Sequence, residues 1–304
     1  KRLDLLILGG GGILYDADAP TYLREVAIAQ DAGIPVVVYA VSAGPLHDPS
    51  VQAMVRERLN RAAAVTVRER NAKCILEDIG VEKEILVTAD PALLLHPQLL
   101  DPAVLKEEGL DVKSTLVGFS VREPGPATPG LRPGLYHEYL ANAADYMVEC
   151  FDAHVVFISM EPTVQDIQQS HAVASKMMHA ERAKVMHGMY KPEQLLSLIG
   201  RFSFGVGMRL HFLIFLAVMG IPFAALPYAT KVEGFLESLD VEKPPSRLNP
   251  GRLIAYIDKF WDNRRQMCEH LARTVPQLQE RARRTNDVVI NVLAGALRQT
   301  AGKE

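Results

Sequence analysis

Short continuous apolar runs alternate with amphipathic ones along the first hundred residues. Residues 3–8 (LDLLIL), 35–41 (PVVVYAV), 64–68 (AVTVR) and 85–88 (ILVT) are each long enough for a strand and too short for a helix. Between them, residues 21–32, 50–62 and 70–79 space their apolar side chains as helices do, with Gly33 and Gly80 placed to end two of them. Strands apolar on both faces, separated by helices, predict a parallel sheet covered on both sides. Residues 97–113 are polar and without a strand pattern, and read as a linker. A second series then begins. Residues 115–121, 154–159, 184–186, 202–207 and 222–227 read as strands. Residues 134–150, 163–179, 192–200 and 210–219 read as helices, and the tail from residue 250 is helical and charged. The pattern predicts an α/β protein of two facing, doubly wound, Rossmann-like domains with a helical C-terminal tail. The expected domains are residues 1–108 and 109–304.

Composition narrows the function. The chain has 304 residues, is 48% hydrophobic and 23% charged, and carries a formal charge of −3. No global basic field is present to hold nucleic acid by its phosphates, so no nucleic-acid partner is expected. Cys74, Cys150 and Cys268 lie far apart without CxxC spacing, which argues against a disulfide framework or a zinc site. No signal-peptide pattern is visible. The greasiest run, residues 212–228, is short for a bilayer and is interrupted by Gly220-Ile221-Pro222.

In open α/β sheets, ligands bind outside the carboxyl ends of the strands. The residues that follow the expected strands are therefore the candidates. They are the tetraglycine with Gly10 and Gly11, then Arg122, Glu161, Arg209 with His211, and Tyr228 with Lys231. Arg209 and His211, two apart, fit a strand-to-helix turn better than one helix face. Gly205 and Gly207 are expected to let the backbone approach a ligand. The unpaired amides and positive dipole end of the next helix would complete a small-anion site. Each residue taken alone also has a plainer reading: a surface ion pair for Arg122, a structural imidazole for His211, a solvated ammonium for Lys231, a helix cap for Glu161. The tetraglycine lacks both GxGxxG and GxxxxGK[ST] spacing. Nothing in the sequence calls for a metal.

The blocks LLILGGGGILYD, PVVVYAVSAGP, AVTVRER, VTADPALLL and GMRLHFLIFLAVMGIPFAALPYATKVEGFL occur in that order between about residue 3 and about residue 240. In that order they resemble the polysaccharide pyruvyltransferase family. The resemblance implies a fold similar to B-type glycosyltransferases, with the active site between the domains. It implies transfer of pyruvate from phosphoenolpyruvate, as a ketal, to a sugar of a cell-surface polysaccharide or its precursor. It implies Arg209, His211 and Lys231 as catalytic and donor-binding residues and Arg122 as a donor contact. Gly10, Gly11, Gly207, Glu161 and Tyr228 are further candidate substrate contacts. Where the family commonly has Tyr-Asp-Pro, this chain has Tyr228-Ala229-Thr230.

On this reading the partners are phosphoenolpyruvate, used as donor substrate with no cofactor, and a sugar or lipid-linked oligosaccharide. The expected location is the cytoplasm, with peripheral association at the inner face of the membrane. Two other readings use the same residues: a nucleotide-sugar glycosyltransferase of B-type fold, and a carbohydrate-binding relative without catalysis.

Overall fold

The computed structural model describes residues 3–111, 113–123, 132–161, 164–226, 230–245 and 249–301. The chain forms two compact units, one of Lys1–Leu94 with Pro276–Glu304 and the other of Leu95–Val275. The first contains β1 (Leu6–Leu14), α1 (Ala19–Asp31), β2 (Val36–Ala43), α2 (Pro49–Asn60), β3 (Ala64–Val67), α3 (Arg70–Asp78) and β4 (Ile85–Val87). Its four strands are parallel, in the order β1-β2-β3-β4. Their valines are buried against Leu23, Val26, Val55, Leu59 and Leu76 of the covering helices.

The first strand differs from expectation. It does not stop at Leu8 but continues through the tetraglycine to Leu14. Gly10 and Gly11 both lie at φ +82, a region open to glycine at little cost. Opposite them Ala40 has φ 46, and its N–H leaves the ladder for the Thr66 hydroxyl at 2.8 Å. Glycine here lets one strand follow a local distortion of its neighbour.

The second unit contains α4 (Pro102–Glu107), β5 (Thr115–Ser120), α5 (Pro133–Phe151), β6 (Ala153–Phe157), α6 (Val164–Ala174), β7 (Ala183–Val185) and α7 (Pro192–Ile199). It continues with β8 (Phe204–Gly207), α8 (Leu210–Val218), β9 (Phe223–Ala225), α9 (Thr230–Leu239) and α10 (Pro250–Asp262). The five strands are parallel, in the order β7-β6-β5-β8-β9. From β5 the chain winds one way to β6 and β7, then returns to the other side of β5 for β8 and β9.

Two boundaries move. The expected linker at 97–113 holds α4, capped by the Asp101 carboxylate on the Ala103 N–H at 2.9 Å. It belongs to the second unit, where Glu108 accepts from the Gly188 N–H at 2.9 Å and from the Tyr190 hydroxyl. The tail, assigned by sequence to the second domain, is shared. α11 (Arg264–Ala301) begins in the second unit, and from Pro276 onward it belongs to the first. There Thr285 bonds Thr88 at 2.7 Å and Gln279 bonds the Leu93 carbonyl at 2.9 Å.

The sheet of the second unit has one large face and one small face. Val117, Phe119, Phe204 and Val206 point into a core with Tyr136, Leu140, Ile257 and Trp261. On the other face β5 and β8 place Gly118 beside Gly205 and Ser120 beside Gly207. A Cβ on Gly207 would meet the Phe212 ring at 2.5 Å, and one on Gly205 would meet Leu216 at 2.3 Å. Phe212 and Leu216 are four apart on α8, so the glycines let this helix lie close on the sheet. Gly207 thus makes room for the Phe212 ring. Gly207→Ala should cost about 1–3 kcal/mol by overpacking, measurable as a lowered midpoint in urea. An unchanged midpoint would refute this tight docking.

Candidate functional site

The winding of the second sheet reverses between β5 and β8, and such a switch point is where open α/β sheets bind ligands. The two strands that flank it carry the expected residues. Arg122 follows β5, Arg209 and His211 follow β8, and Lys231 follows the adjacent β9. The Arg122 N–H donates to the Met208 sulfur at 3.1 Å, which ties the two sides of the switch point together. Strand order therefore brings Arg122, Arg209, His211 and Lys231 to neighbouring positions on one edge, although they span more than a third of the chain.

Arg209 is the N-cap of α8 and is 7% exposed. A buried guanidinium needs counter-charge, and the structure supplies two carboxylates. Nε and Nη2 donate to the two oxygens of Asp166 at 2.9 and 2.5 Å, a two-point fork. Nη1 donates to Glu161 at 2.6 Å. The partners differ in access: the Asp166 side chain is 1% exposed and that of Glu161 47%. Burial works against the charge of Arg209, but the two carboxylates outweigh it and hold its pKa above the ordinary value. Asp166, in the first turn of α6, had no signal in the sequence beyond being an acid near a helix start. Glu161 is a neighbour of Arg209, a link that sequence reading did not make.

His211 is the second residue of α8, and its side chain is exposed while the rest of the helix from Phe212 to Ala217 is buried. Lys231 is the second residue of α9 and is half-buried. Arg122 is half-buried and bonds Glu123 at 3.1 Å. Arg209, His211 and Lys231 therefore all sit at amino ends of helices, where backbone N–H groups favour anions. Tyr228 lies outside the described residues. Gly10 and Gly11 belong to the other unit, and no atom lies within 4 Å of where their Cβ would be. Among the described residues no group of three or more His, Cys, Asp or Glu is placed to hold a metal ion. The three cysteines are free thiols, and none of the described helices is long and apolar enough to cross a membrane.

The carboxyl edge of the first sheet holds a buried ionic network that the sequence reading gave no role. Arg68, after β3, donates to Asp90 at 2.7 Å and to Glu69 at 3.2 Å. Glu69 also accepts from the Ser42 hydroxyl, and Asp90 accepts from the Ala92 N–H at 2.9 Å. Burial pushes the Glu69 carboxyl above its ordinary pKa, with Arg68 and Ser42 opposing. The network ties together the ends of β2, β3 and β4. These residues come from the blocks PVVVYAVSAGP, AVTVRER and VTADPALLL.

Comparison with known proteins agrees with this architecture. The chain is 22% identical over 294 residues to the amylovoran biosynthesis protein AmsJ of Erwinia amylovora, covering 91% of this chain and 70% of that protein. Among solved structures, the UDP-GlcNAc 2-epimerase of Neisseria meningitidis is similar at a TM-score of 0.62 and 11% identity. That match covers 95% of this chain and 76% of the epimerase. Anabaena Alr3699/HepE is similar at 0.55 and 15% identity, over 98% of this chain and 79% of that one. At these identities the structures show the fold alone, that of B-type glycosyltransferases and related epimerases. Residues 1–230 match the family described as polysaccharide pyruvyl transferase, a span that takes in Arg122, Arg209 and His211 and stops one residue before Lys231. The chain belongs to the polysaccharide pyruvyl transferase family.

Proposed function

We propose that this protein transfers the pyruvyl unit of phosphoenolpyruvate to two hydroxyls of one sugar, forming a ketal on a polysaccharide or its precursor. The observation that carries the reading is the placement of Arg122, Arg209, His211 and Lys231 around the switch point of the second sheet. Phosphoenolpyruvate carries a carboxylate and a phosphate on three carbons, and a metal-free site for it needs several cations converging on a small volume. The donor is a substrate, and the reaction as written needs no cofactor.

The steps balance without an oxidant. The methylene carbon of the enol takes up a proton, which leaves C2 electron-poor. One sugar hydroxyl adds to C2, phosphate departs, and the second hydroxyl closes the ketal. Of the two hydroxyl protons released, one replaces that delivered to the methylene carbon and the other leaves with phosphate. His211 handles the proton, because an imidazole can both give and accept one and this side chain reaches solvent. Lys231 and Arg122 face the leaving phosphate. Arg209 offers the donor carboxylate only its Nη1 edge, in exchange for Glu161, because Asp166 occupies the fork. The acceptor is a saccharide, and the reaction is assigned to the cytoplasm with the acceptor at the inner membrane face.

Thermal denaturation with candidate donors tests the reading. At a hundredfold excess over its dissociation constant, phosphoenolpyruvate should add about 2.7 kcal/mol of stability, and UDP-glucose should add no more than inorganic pyrophosphate does. Stabilisation by the UDP-sugar alone would replace the proposal with a glycosyltransferase.

A further inference from the structure

The first unit contains a second cluster of cations, separate from the buried network around Arg68. Arg70 opens α3, directly after β3. Arg281 and Arg284 lie three apart on α11 and so share a face of that helix. The Arg281 guanidinium donates to the Thr88 carbonyl at 2.7 Å, which places it at the end of β4, the neighbour of β3. The three arginines therefore meet at the carboxyl edge formed by β3 and β4. Arg70 and Arg284 are exposed, and Arg281 is half-buried.

Among the described residues the cluster lacks counter-charge. Several other basic side chains of this unit are paired: Arg24 with Glu25, Arg61 with Asp31, Lys73 with Glu77, Arg283 with Glu280. Among the described residues Arg70, Arg281 and Arg284 form no ion pair. Burial lowers the pKa of Arg281, and Arg70 and Arg284 lower it further, with no carboxylate opposing them. Like charges held together at a strand edge are a cost unless an anion neutralises them. The amino end of α3 adds to the demand. Its N-cap, Glu69, makes no side-chain cap, since that carboxylate is turned to Ser42 and Arg68. The first amides of the helix stay available to an anion at the same edge.

We propose that Arg70, Arg281, Arg284 and the amino end of α3 form an anion site on the first unit, built for a phosphoryl or diphosphoryl group. Three guanidiniums exceed what one carboxylate neutralises and match the charge and fork geometry of a diphosphate. Resting on the pyruvyl-transfer reading, the group belongs to the acceptor, a saccharide carried on phosphate, while phosphoenolpyruvate uses the second unit.

Titration calorimetry of the full chain with inorganic pyrophosphate tests the site. The variant is Arg70→Gln/Arg284→Gln. Both residues are exposed, and Arg281 stays because its bond to Thr88 holds α11. Pyrophosphate should bind the parent protein, and the double variant should weaken it roughly tenfold or more. His211→Ala should leave pyrophosphate binding as it was, and the double variant should keep its stabilisation by phosphoenolpyruvate. An unchanged pyrophosphate affinity in the double variant, or no binding by the parent, overturns the proposal. So does binding to phosphatidylglycerol vesicles that the double variant loses when pyrophosphate does not bind, which would make the cluster a membrane contact. If pyrophosphate binds through the arginines while phosphoenolpyruvate has no effect, the site stands and the donor assignment falls.

Discussion

His211→Ala should lower pyruvyl transfer by about 10²–10⁴-fold, the usual worth of a positioned general acid or base. The fold should survive, because the side chain is exposed at the second position of α8 and the residues that seat the helix are Phe212 and Leu216. Alanine is also the better helix former. The deficit should fall on turnover more than on donor affinity, since Arg122, Arg209 and Lys231 remain. The pH dependence of turnover should differ between the parent enzyme and the variant. Steady-state assays across pH with phosphoenolpyruvate and a saccharide acceptor decide the matter. Activity within tenfold of the parent would remove His211 from the chemistry.

Asp166→Ala should act on stability, at about 3–5 kcal/mol, because it strips the two-point partner from a buried guanidinium. Domains of ordinary size have a net stability of only about 5–15 kcal/mol, so the variant should approach unfolding at physiological temperature. Glu161 cannot substitute, as it meets only Nη1 and is half exposed. Removing the charge as well should return part of the loss: Asp166→Ala/Arg209→Met should be more stable than Asp166→Ala alone. Urea unfolding of the parent, both singles and the double gives the coupling between the two residues. A loss below about 1 kcal/mol for Asp166→Ala would mean that solvent or Glu161 compensates Arg209.

Much of this architecture is visible in the chain because parallel sheets need continuous apolar strands. Residues 115–121 and 202–207 announce β5 and β8 within two residues, and GMRLH marks the turn that follows. What escaped depends on contacts distant in sequence. Asp166 is an ordinary acid in a helical stretch until the fold brings it to Arg209, 43 residues away. Arg281 and Arg284 sit in a charged helix, and only the docking of α11 on Thr88 gives them Arg70 as a neighbour. The local part played by the glycines was also not visible. Gly207 after an apolar run suits close approach, and the space its missing side chain leaves is filled by the ring five residues later. The tetraglycine looked like the end of a strand, yet a neighbouring strand distorted at Ala40 lets it continue.

The division of α11 at Pro276 has a consequence for how the molecule is made. Pro276 lacks the N–H that would continue the helix ladder, and the segment after it, with Leu278 and Ala282 buried, belongs to the unit that contains the first four strands. During synthesis the four strands of that unit emerge first, but the helix that finishes it emerges only after residues 95–275. The middle unit is contiguous in sequence, whereas the outer one is completed by residues that are synthesised only after it. The first unit therefore lacks α11 until the residues of the middle unit have been synthesised.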